Sequence, residues 1–368
     1  MTAPFLPDPI RVLIVDDSAS VRAVLKTLLA SDPGIEVVGA AADPFAAAEQ
    51  MRLRLPDVML LDLELPRMDG LTFLAKVMAQ RPVPVVVCSS HTAAGSKAAQ
   101  RALEMGAVEV IGKPSLSTPA ERQDAQAMLC EAVRAAHAGG TRARRTAPRA
   151  LLVEPKLTAD AVLPPAGAGA PRPPRTPPLV AIGASTGGTE ALAQVLRALP
   201  ADAPPVVIVQ HMPEKFTAAF AQRLDGLCQV RVAEAGPGDR LLPLQALIAP
   251  GDHHMLLRRS GASYQVEIVS GPHVARHRPS VDVLFRSVAQ AAGPNALGML
   301  LTGMGDDGAR GLLEMRQAGA GTIAQDEATS VVFGMPGEAL RRGATDRALP
   351  LSRMAEEIVA WGRRAHDH

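Results

Sequence analysis

Residues 10–18 read Ile-Arg-Val-Leu-Ile-Val-Asp-Asp-Ser. A run rich in β-branched residues leads directly into two adjacent carboxylates and a hydroxyl. Such a run predicts a buried strand, and the polar residues after it mark the strand's carboxyl end. The same grammar recurs downstream. Short runs at 35–41, 58–63, 83–88 and 108–111 alternate with helical stretches such as 18–30 and 70–80. Five strands alternating with helices predict a parallel, doubly wound sheet. Ligands of such sheets bind at the carboxyl ends of the strands. Those ends carry Asp16 and Asp17, then Asp62, then Ser89 and Ser90, then Lys113 before Pro114.

Carboxylates gathered at one sheet edge repel one another unless a cation sits among them. Magnesium suits an all-oxygen set. One carboxylate is then placed to attack a phosphoryl donor, with the lysine and a serine hydroxyl meeting the new phosphoryl oxygens. A simple helix cap would explain Asp16 and Asp17 alone, but not the full set at successive strand ends. The stretches VDDS (15–18), LLDLELPRMDG (60–70), CSS (88–90) and IGKP (111–114) resemble the receiver domain of two-component response regulators. The resemblance implies a flavodoxin-like fold with Asp62 as phosphoacceptor and Asp16, Asp17 and Asp62 as the Mg2+ site. It also implies Ser89 as the phosphoryl-sensing hydroxyl and Lys113 as the phosphoryl-pairing lysine. Many receivers carry an aromatic three residues before that lysine. Here the position is Val110, so no aromatic-rotamer switch is expected there.

The second half again alternates. Runs at 180–183, 206–210 and 297–302 read as buried parallel strands, followed by helical stretches at 187–199, 214–227 and 308–319. Runs at 255–259 and 264–269 flank Ser-Gly-Ala and read as an inserted β-hairpin. Helices are expected at 281–292 and 351–365. The first strand ends in Gly183-Ala184-Ser185-Thr186-Gly187-Gly188, a G-x-S-x-G elbow that exposes a serine. The second ends in Gln210-His211 and the third in Thr302-Gly303-Met304-Gly305-Asp306-Asp307-Gly308. Serine, histidine and aspartate at three strand ends of one sheet can converge as nucleophile, base and orienting carboxylate. Spacing does not decide between Asp306 and Asp307. The glycines do not match the dinucleotide pattern G-x-G-x-x-G. His253 and His254 are adjacent, so on a strand their rings face opposite ways, and His273 and His277 lie in a Gly/Pro/Arg stretch, so zinc is not expected.

The stretches AIGASTGGTEAL (181–192), VQHMPEKFT (209–217), APGDHHM (249–255), GPHVARHRPSVDVLF (271–285), LLTGMGDDGARGLLEMRQAGA (300–320) and AQDEATSVVFGMPGEA (324–339) resemble the catalytic domain of chemotaxis protein-glutamate methylesterases. Together with the receiver, this resemblance covers nearly the whole chain. It implies a doubly wound α/β hydrolase-like domain with a mostly parallel sheet. It also implies Ser185 as nucleophile, His211 as general base and Asp307 as orienting carboxylate, with backbone groups of Thr186 and Met304 holding the oxyanion. No cofactor is implied for the ester hydrolysis. The substrates implied are methyl esters of glutamate on chemoreceptors, and by the same chemistry receptor glutamines; the phosphodonor is a histidine kinase. The residue before the aspartate is often Asn in this family and is Asp306 here. An added carboxylate can raise one pKa of the pair.

The expected organisation is a receiver at 9–130, a helix end and Pro/Arg-rich linker at 131–178, and a catalytic domain at 179–366. Residues 139–178 hold nine Pro, four Gly and seven basic against two acidic residues, a composition read as a solvated tether. The remainder is close to neutral, and residues 179–368 carry 18 basic against 19 acidic side chains, so a basic DNA-reading helix and a nucleic-acid partner are not expected. Only 2% of residues are aromatic, which also disfavours base-stacking platforms. No signal peptide, membrane insertion, disulfide framework or zinc cluster is legible, and a cytoplasmic monomer is expected. The rival reading is a catalytically silent signalling scaffold. The resemblance implies that the unphosphorylated receiver covers the catalytic cleft. Removing residues 1–178 is therefore expected to raise esterase activity, measured as methanol release; a folded fragment with unchanged or lower activity would contradict inhibition.

Overall fold

The computed structural model describes residues 8–65, 68–89, 98–99, 101–103, 105–114, 118–140, 156–165, 176–214 and 216–364. The chain divides into two units, Met1–Thr146 and Ala147–His368. In the first, β1 (Ile10–Val15), β2 (Ile35–Ala41), β3 (Val58–Leu61), β4 (Val85–Ser89) and β5 (Glu109–Gly112) form one parallel sheet in the order β2-β1-β3-β4-β5. Alternate residues Val12 and Ile14 of β1, with Val58 and Leu60 of β3, share one buried cluster with Leu25, Leu28 and Leu29 of α1 (Ala19–Ala30). The fourth strand starts at Val85 rather than at 83 because Pro84 has no N–H to give a ladder. Its carbonyl still accepts from Met59 N at 2.9 Å. Further helices are α2 (Pro44–Leu53), α3 (Gly70–Gln80) and α4 (Pro119–Gly140).

The second unit is built on seven strands: β6 (Leu179–Ala184), β7 (Val206–Gln210), β8 (Arg231–Glu234), β10 (Gln245–Ile248), β13 (Ala296–Leu300), β14 (Gly321–Gln325) and β15 (Ala348–Leu349). Their order is β15-β14-β13-β6-β7-β10-β8, and every pairing is parallel. From β6 the chain winds first toward β7 and β10, then returns to β13 on the other side. That reversal makes β6/β13 the switch point, where the crevice at the carboxyl ends receives ligands. The expected hairpin is present as β11 (His254–Ser260) and β12 (Ser263–Val269), with β9 (Arg240–Leu241) on its edge. Helices α5 (Gly188–Arg197), α6 (Phe216–Asp225), α7 (Val281–Ala291), α8 (Ala309–Gln317), α9 (Met335–Arg341) and α10 (Met354–Arg364) complete the unit. The α7 helix is buried along nearly its whole length; Val281, Leu284, Phe285 and Val288 share a core with Met255, Leu257, Tyr264 and Val266 of the hairpin.

The segment read as a solvated tether differs from that expectation over residues 156–165, which lie against the second unit. Ala159 and Leu163 are buried in a cluster with Leu256, Val274 and Val283. Arg286 of α7, 7% exposed, donates to Leu163 O at 2.9 Å, pairs with Glu314 at 2.6 Å and also with Asp160. Leu157 O accepts from Ala275 N at 2.9 Å, and Pro164 O from Gln290 Nε2 at 2.8 Å. Composition averaged over forty residues hid this short apolar patch, whose few side chains find partners only in the folded unit. The arginines at 142–149 lie outside the described residues. A cut that ends at 178 removes this strap. A 179–368 fragment is therefore expected to be less stable than a 147–368 fragment by about 2 kcal/mol or more, the worth of burying one Leu side chain with some of its neighbours. Chemical denaturation of the two fragments measures it, and equal midpoints would contradict the packing role.

Candidate active site and phosphoacceptor site

Strand β6 runs into Ser185, and Gly187 takes φ 77°, the left-handed conformation that lets the chain turn sharply into α5. Ser185 is 6% exposed. Its N–H donates to Thr302 O at 3.0 Å, which ties the elbow to the end of β13. His211 follows β7, and its N–H donates to Ala184 O at 3.1 Å. The backbone ladder thus sets serine and histidine side by side. Thr186 adjoins Ser185 at the elbow, and its carbonyl accepts from the Thr302 hydroxyl at 2.9 Å. Met304 lies on the loop after β13, flanked by Gly303, whose N–H donates to Val332 O at 3.0 Å.

Of the two aspartates, Asp307 is the one that contacts His211. Its Oδ2 sits 2.8 Å from His211 Nε2 and accepts from Val281 N at 2.8 Å. Its Oδ1 accepts from Ser280 Oγ at 2.8 Å and Asp282 N at 3.0 Å. Three of these four groups form the N-terminus of α7, where unpaired N–H groups and the helix dipole favour an anion. Burial works to raise the Asp307 carboxyl. The His211 hydrogen bond, helped by the Asp282 N–H, outweighs it and holds the carboxyl below its ordinary pKa. With Nε2 bound to Asp307, His211 Nδ1 is buried without a hydrogen-bond partner. Asp306 instead pairs with Lys156 Nζ at 2.5 Å and faces Arg342 at 3.7 Å.

Several neighbours have contacts at this site that sequence reading did not assign. His277 stacks on His211 with ring centroids 3.6 Å apart and planes 9° from parallel. Burial and the facing His211 keep the His277 imidazole well below its ordinary pKa, hence neutral. His254 has both ring nitrogens engaged by the protein: Nδ1 accepts from Ser280 N at 3.2 Å and Nε2 meets Pro272 O at 2.9 Å. Asp282 is pushed up to about 8, first by burial and then by the charge of Asp307, although Gly311 N donates to it at 2.7 Å. The Ser-x-x pattern before an apolar run marks Ser280 as a helix cap, but nothing local indicates that the same cap holds a carboxylate.

In the first unit, Asp16 follows β1, Asp62 follows β3, and Lys113 follows β5. Helix α1 is capped by Ser18, whose hydroxyl accepts from Val21 N, so the capping role falls on neither aspartate. Ligand oxygens of Asp16, Asp17 and Asp62 lie within 4.8 Å of one another. Lys113 Nζ donates to Asp62 Oδ2 at 2.7 Å and lies 3.1 Å from Asp16 Oδ2, an ion pair without hydrogen-bond alignment. Burial raises the Asp62 carboxyl despite the Lys113 ammonium. Three carboxylates against one ammonium leave negative charge over, and an all-oxygen donor set suits a hard divalent cation. Ser89, fully buried at the end of β4, accepts from Lys113 N at 3.1 Å through its carbonyl. Val110 is a buried strand residue. Ser90 lies outside the described residues.

Residues 12–121 match the family model for the response regulator receiver domain, and residues 180–358 match that for CheB methylesterase. A protein-glutamate methylesterase/protein-glutamine glutaminase of Anaeromyxobacter dehalogenans is 62% identical, over 95% of this chain and 96% of that protein. The chain belongs to this family. A second member, from Rhodospirillum rubrum, is 59% identical over 98% of this chain and 100% of its own length. The crystal structure of the Thermotoga maritima CheB methylesterase catalytic domain is 34% identical, covering 50% of this chain and 99% of that one, with a TM-score of 0.49. Among the described residues, no helix is long and apolar enough to cross a membrane.

The elevated Asp282 carboxyl has a pH consequence. A carboxyl whose folded pKa is raised adds stability below its unfolded value, and that stability is lost as pH rises through the folded value. Asp282 thus removes stability from the second unit between about pH 4 and 8. Asp282→Asn keeps an acceptor for Gly311 N and abolishes the titration. It is expected to raise the melting temperature at pH 8 by at least about 2 °C and to flatten the pH slope. A variant that tracks wild type at every pH would contradict a neutral Asp282.

Proposed function

We propose that this protein hydrolyses glutamate γ-methyl esters on chemoreceptors, releasing methanol, under the control of phosphorylation at Asp62. The observation that carries the hydrolytic reading is the His211–Asp307 pair. Asp307 holds His211 through Nε2 and leaves the buried Nδ1 unpaired, on a residue whose main chain is bonded to Ala184 next to Ser185. Nδ1 takes the Ser185 proton as Oγ attacks the ester carbonyl. Backbone N–H groups at Thr186 and Met304 are the proposed oxyanion donors. Collapse of the tetrahedral intermediate expels methanol, which leaves with the proton from His211. A water molecule, deprotonated by His211, then cleaves the glutamyl–serine ester and restores the free enzyme. A glutamine side chain follows the same path with ammonia as leaving group. The stacked, neutral His277 adds no second positive charge beside the His211 imidazolium formed in each step.

In the receiver, a histidine kinase is the proposed phosphodonor, and the Asp62 carboxylate is the proposed acceptor. Lys113 Nζ, now on Asp62 and Asp16, is placed to pair with the phosphoryl oxygens, and the Ser89 hydroxyl is the proposed reporter. Asp16, Asp17 and Asp62 would hold Mg2+, which when bound neutralises phosphoryl charge. The cytoplasm is the proposed site of action, where kinase and receptor tails are both accessible. A silent scaffold is not favoured, since the curated relatives are named as esterases and glutaminases over nearly the full chain.

Methanol release from methylated chemoreceptor membranes tests this. Ser185→Ala is expected to lose about 10³-fold or more in kcat. Acetyl phosphate with Mg2+ is expected to raise wild-type activity but not that of Asp62→Asn. Full activity in Ser185→Ala contradicts the hydrolytic site, and stimulation of Asp62→Asn contradicts the phosphoacceptor.

A further inference from the structure

Gln210 is the last residue of β7 and is 3% exposed. Its Nε2 donates to Ser185 O at 3.0 Å and to His211 O at 3.0 Å. One amide nitrogen thus spends both protons on the main chains of the two residues that exchange a proton in the proposed reaction. The other end of the same amide is anomalous. Gln210 Oε1 is buried and has no hydrogen-bond partner. The amide cannot be turned over, because Oε1 would then face two carbonyl oxygens. A buried acceptor left unpaired is costly, and an apolar side chain of the same size would avoid that cost. Gly188, the glycine that follows the elbow, is part of the same arrangement. A Cβ on Gly188 would lie 2.1 Å from Gln210 Oε1 and 2.7 Å from the Ala184 Cβ. Gly188 N also donates to Ser185 O at 2.7 Å, so this carbonyl is clamped from two sides.

We propose that Gln210 is a positioning residue that staples the Ser185 elbow to the His211 main chain and so fixes the distance from Oγ to Nδ1. The proposal rests on the hydrolytic reading above. The strand register ends with Ala184 opposite Gln210, and the last backbone bond between the two segments, His211 N–H to Ala184 O at 3.1 Å, reaches Ala184 and not Ser185. Beyond it, Ser185 and His211 leave the sheet on separate loops, and the Gln210 amide bridges them directly. Proton transfer requires the two side chains within hydrogen-bond reach, and a displacement of about 1 Å costs on the order of 10²-fold in rate.

The test uses the full chain with Gln210→Met, a near-isostere without donors. Gln210→Asn is the second variant; it keeps the amide on an arm one methylene shorter. Methanol release from methylated receptor membranes, the rate of Ser185 labelling by a fluorophosphonate, and the melting temperature are measured together. The expected result is a kcat about 10–100-fold lower with KM within about threefold. The labelling rate falls in parallel, and the Met variant melts within a few degrees of wild type. A purely structural role predicts the reverse, lower stability with wild-type kcat per folded molecule. If the Met variant does not fold, the Asn variant decides by the same kcat and labelling readouts. Turnover within twofold of wild type in a folded variant overturns the staple while Ser185→Ala stays inactive. Full activity in Ser185→Ala overturns the hydrolytic reading and the staple with it.

Discussion

A carboxylate buried at a helix N-terminus organises the second unit. Asp307 takes hydrogen bonds from Ser280, Val281 and Asp282 at the start of α7, and from His211. An isolated buried charge of this kind is strongly disfavoured, so the surroundings must supply donors. Three of the four come from the cap and first turn of α7, a helix whose apolar residues are packed into the core. The same carboxylate charge helps keep its neighbour Asp282 protonated, since two adjacent buried anions are not sustained. It also selects the tautomer of His211, because Nε2 must carry the proton that Asp307 accepts. The catalytic proposal for Ser185 then follows from which nitrogen remains.

The two units apply one topological rule to two chemistries. Each is a parallel sheet whose polar residues collect at the carboxyl ends of its strands. In the first, three carboxylates and a lysine converge at that edge and suit phosphoryl chemistry. In the second, the edge at the β6/β13 switch point gathers a serine, a histidine and one deeply buried aspartate. What separates them is helix placement. Asp16 and Asp62 share the charge of Lys113, whereas Asp307 is satisfied by an N-terminus and a ring.

Much of this was legible from local pattern. The β-branched runs locate β1 to β7 because each is followed by a polar, glycine-bearing or acidic turn. The receiver carboxylates and the G-A-S-T-G-G elbow stand at strand ends that periodicity alone places. Short or marginal strands were not legible. Arg231–Glu234, Arg240–Leu241 and Ala348–Leu349 hold two to four residues each, too few for a period. Gly321–Gln325 opens on glycine and no strand is expected there until its pairing with β13 is seen. The strap at 156–165 was hidden by a proline-rich average. Gln210, His277 and Asp282 act through contacts distant in sequence, and a single sequence carries no signal for those. Spacing does not separate Asp306 from Asp307; the family resemblance points to Asp307, and it is Asp307 that meets His211 while Asp306 pairs with Lys156.

The most direct measurement of the central claim is the mass of the enzyme trapped during turnover. Wild type reacting with a methylated receptor peptide is quenched in acid within its first turnovers and digested. The account predicts a receptor glutamyl adduct on the peptide that contains Ser185, with methanol released in equal amount, and no adduct when Asp307 is replaced by alanine. Methanol release without any adduct at Ser185, or an adduct on another residue, would contradict it.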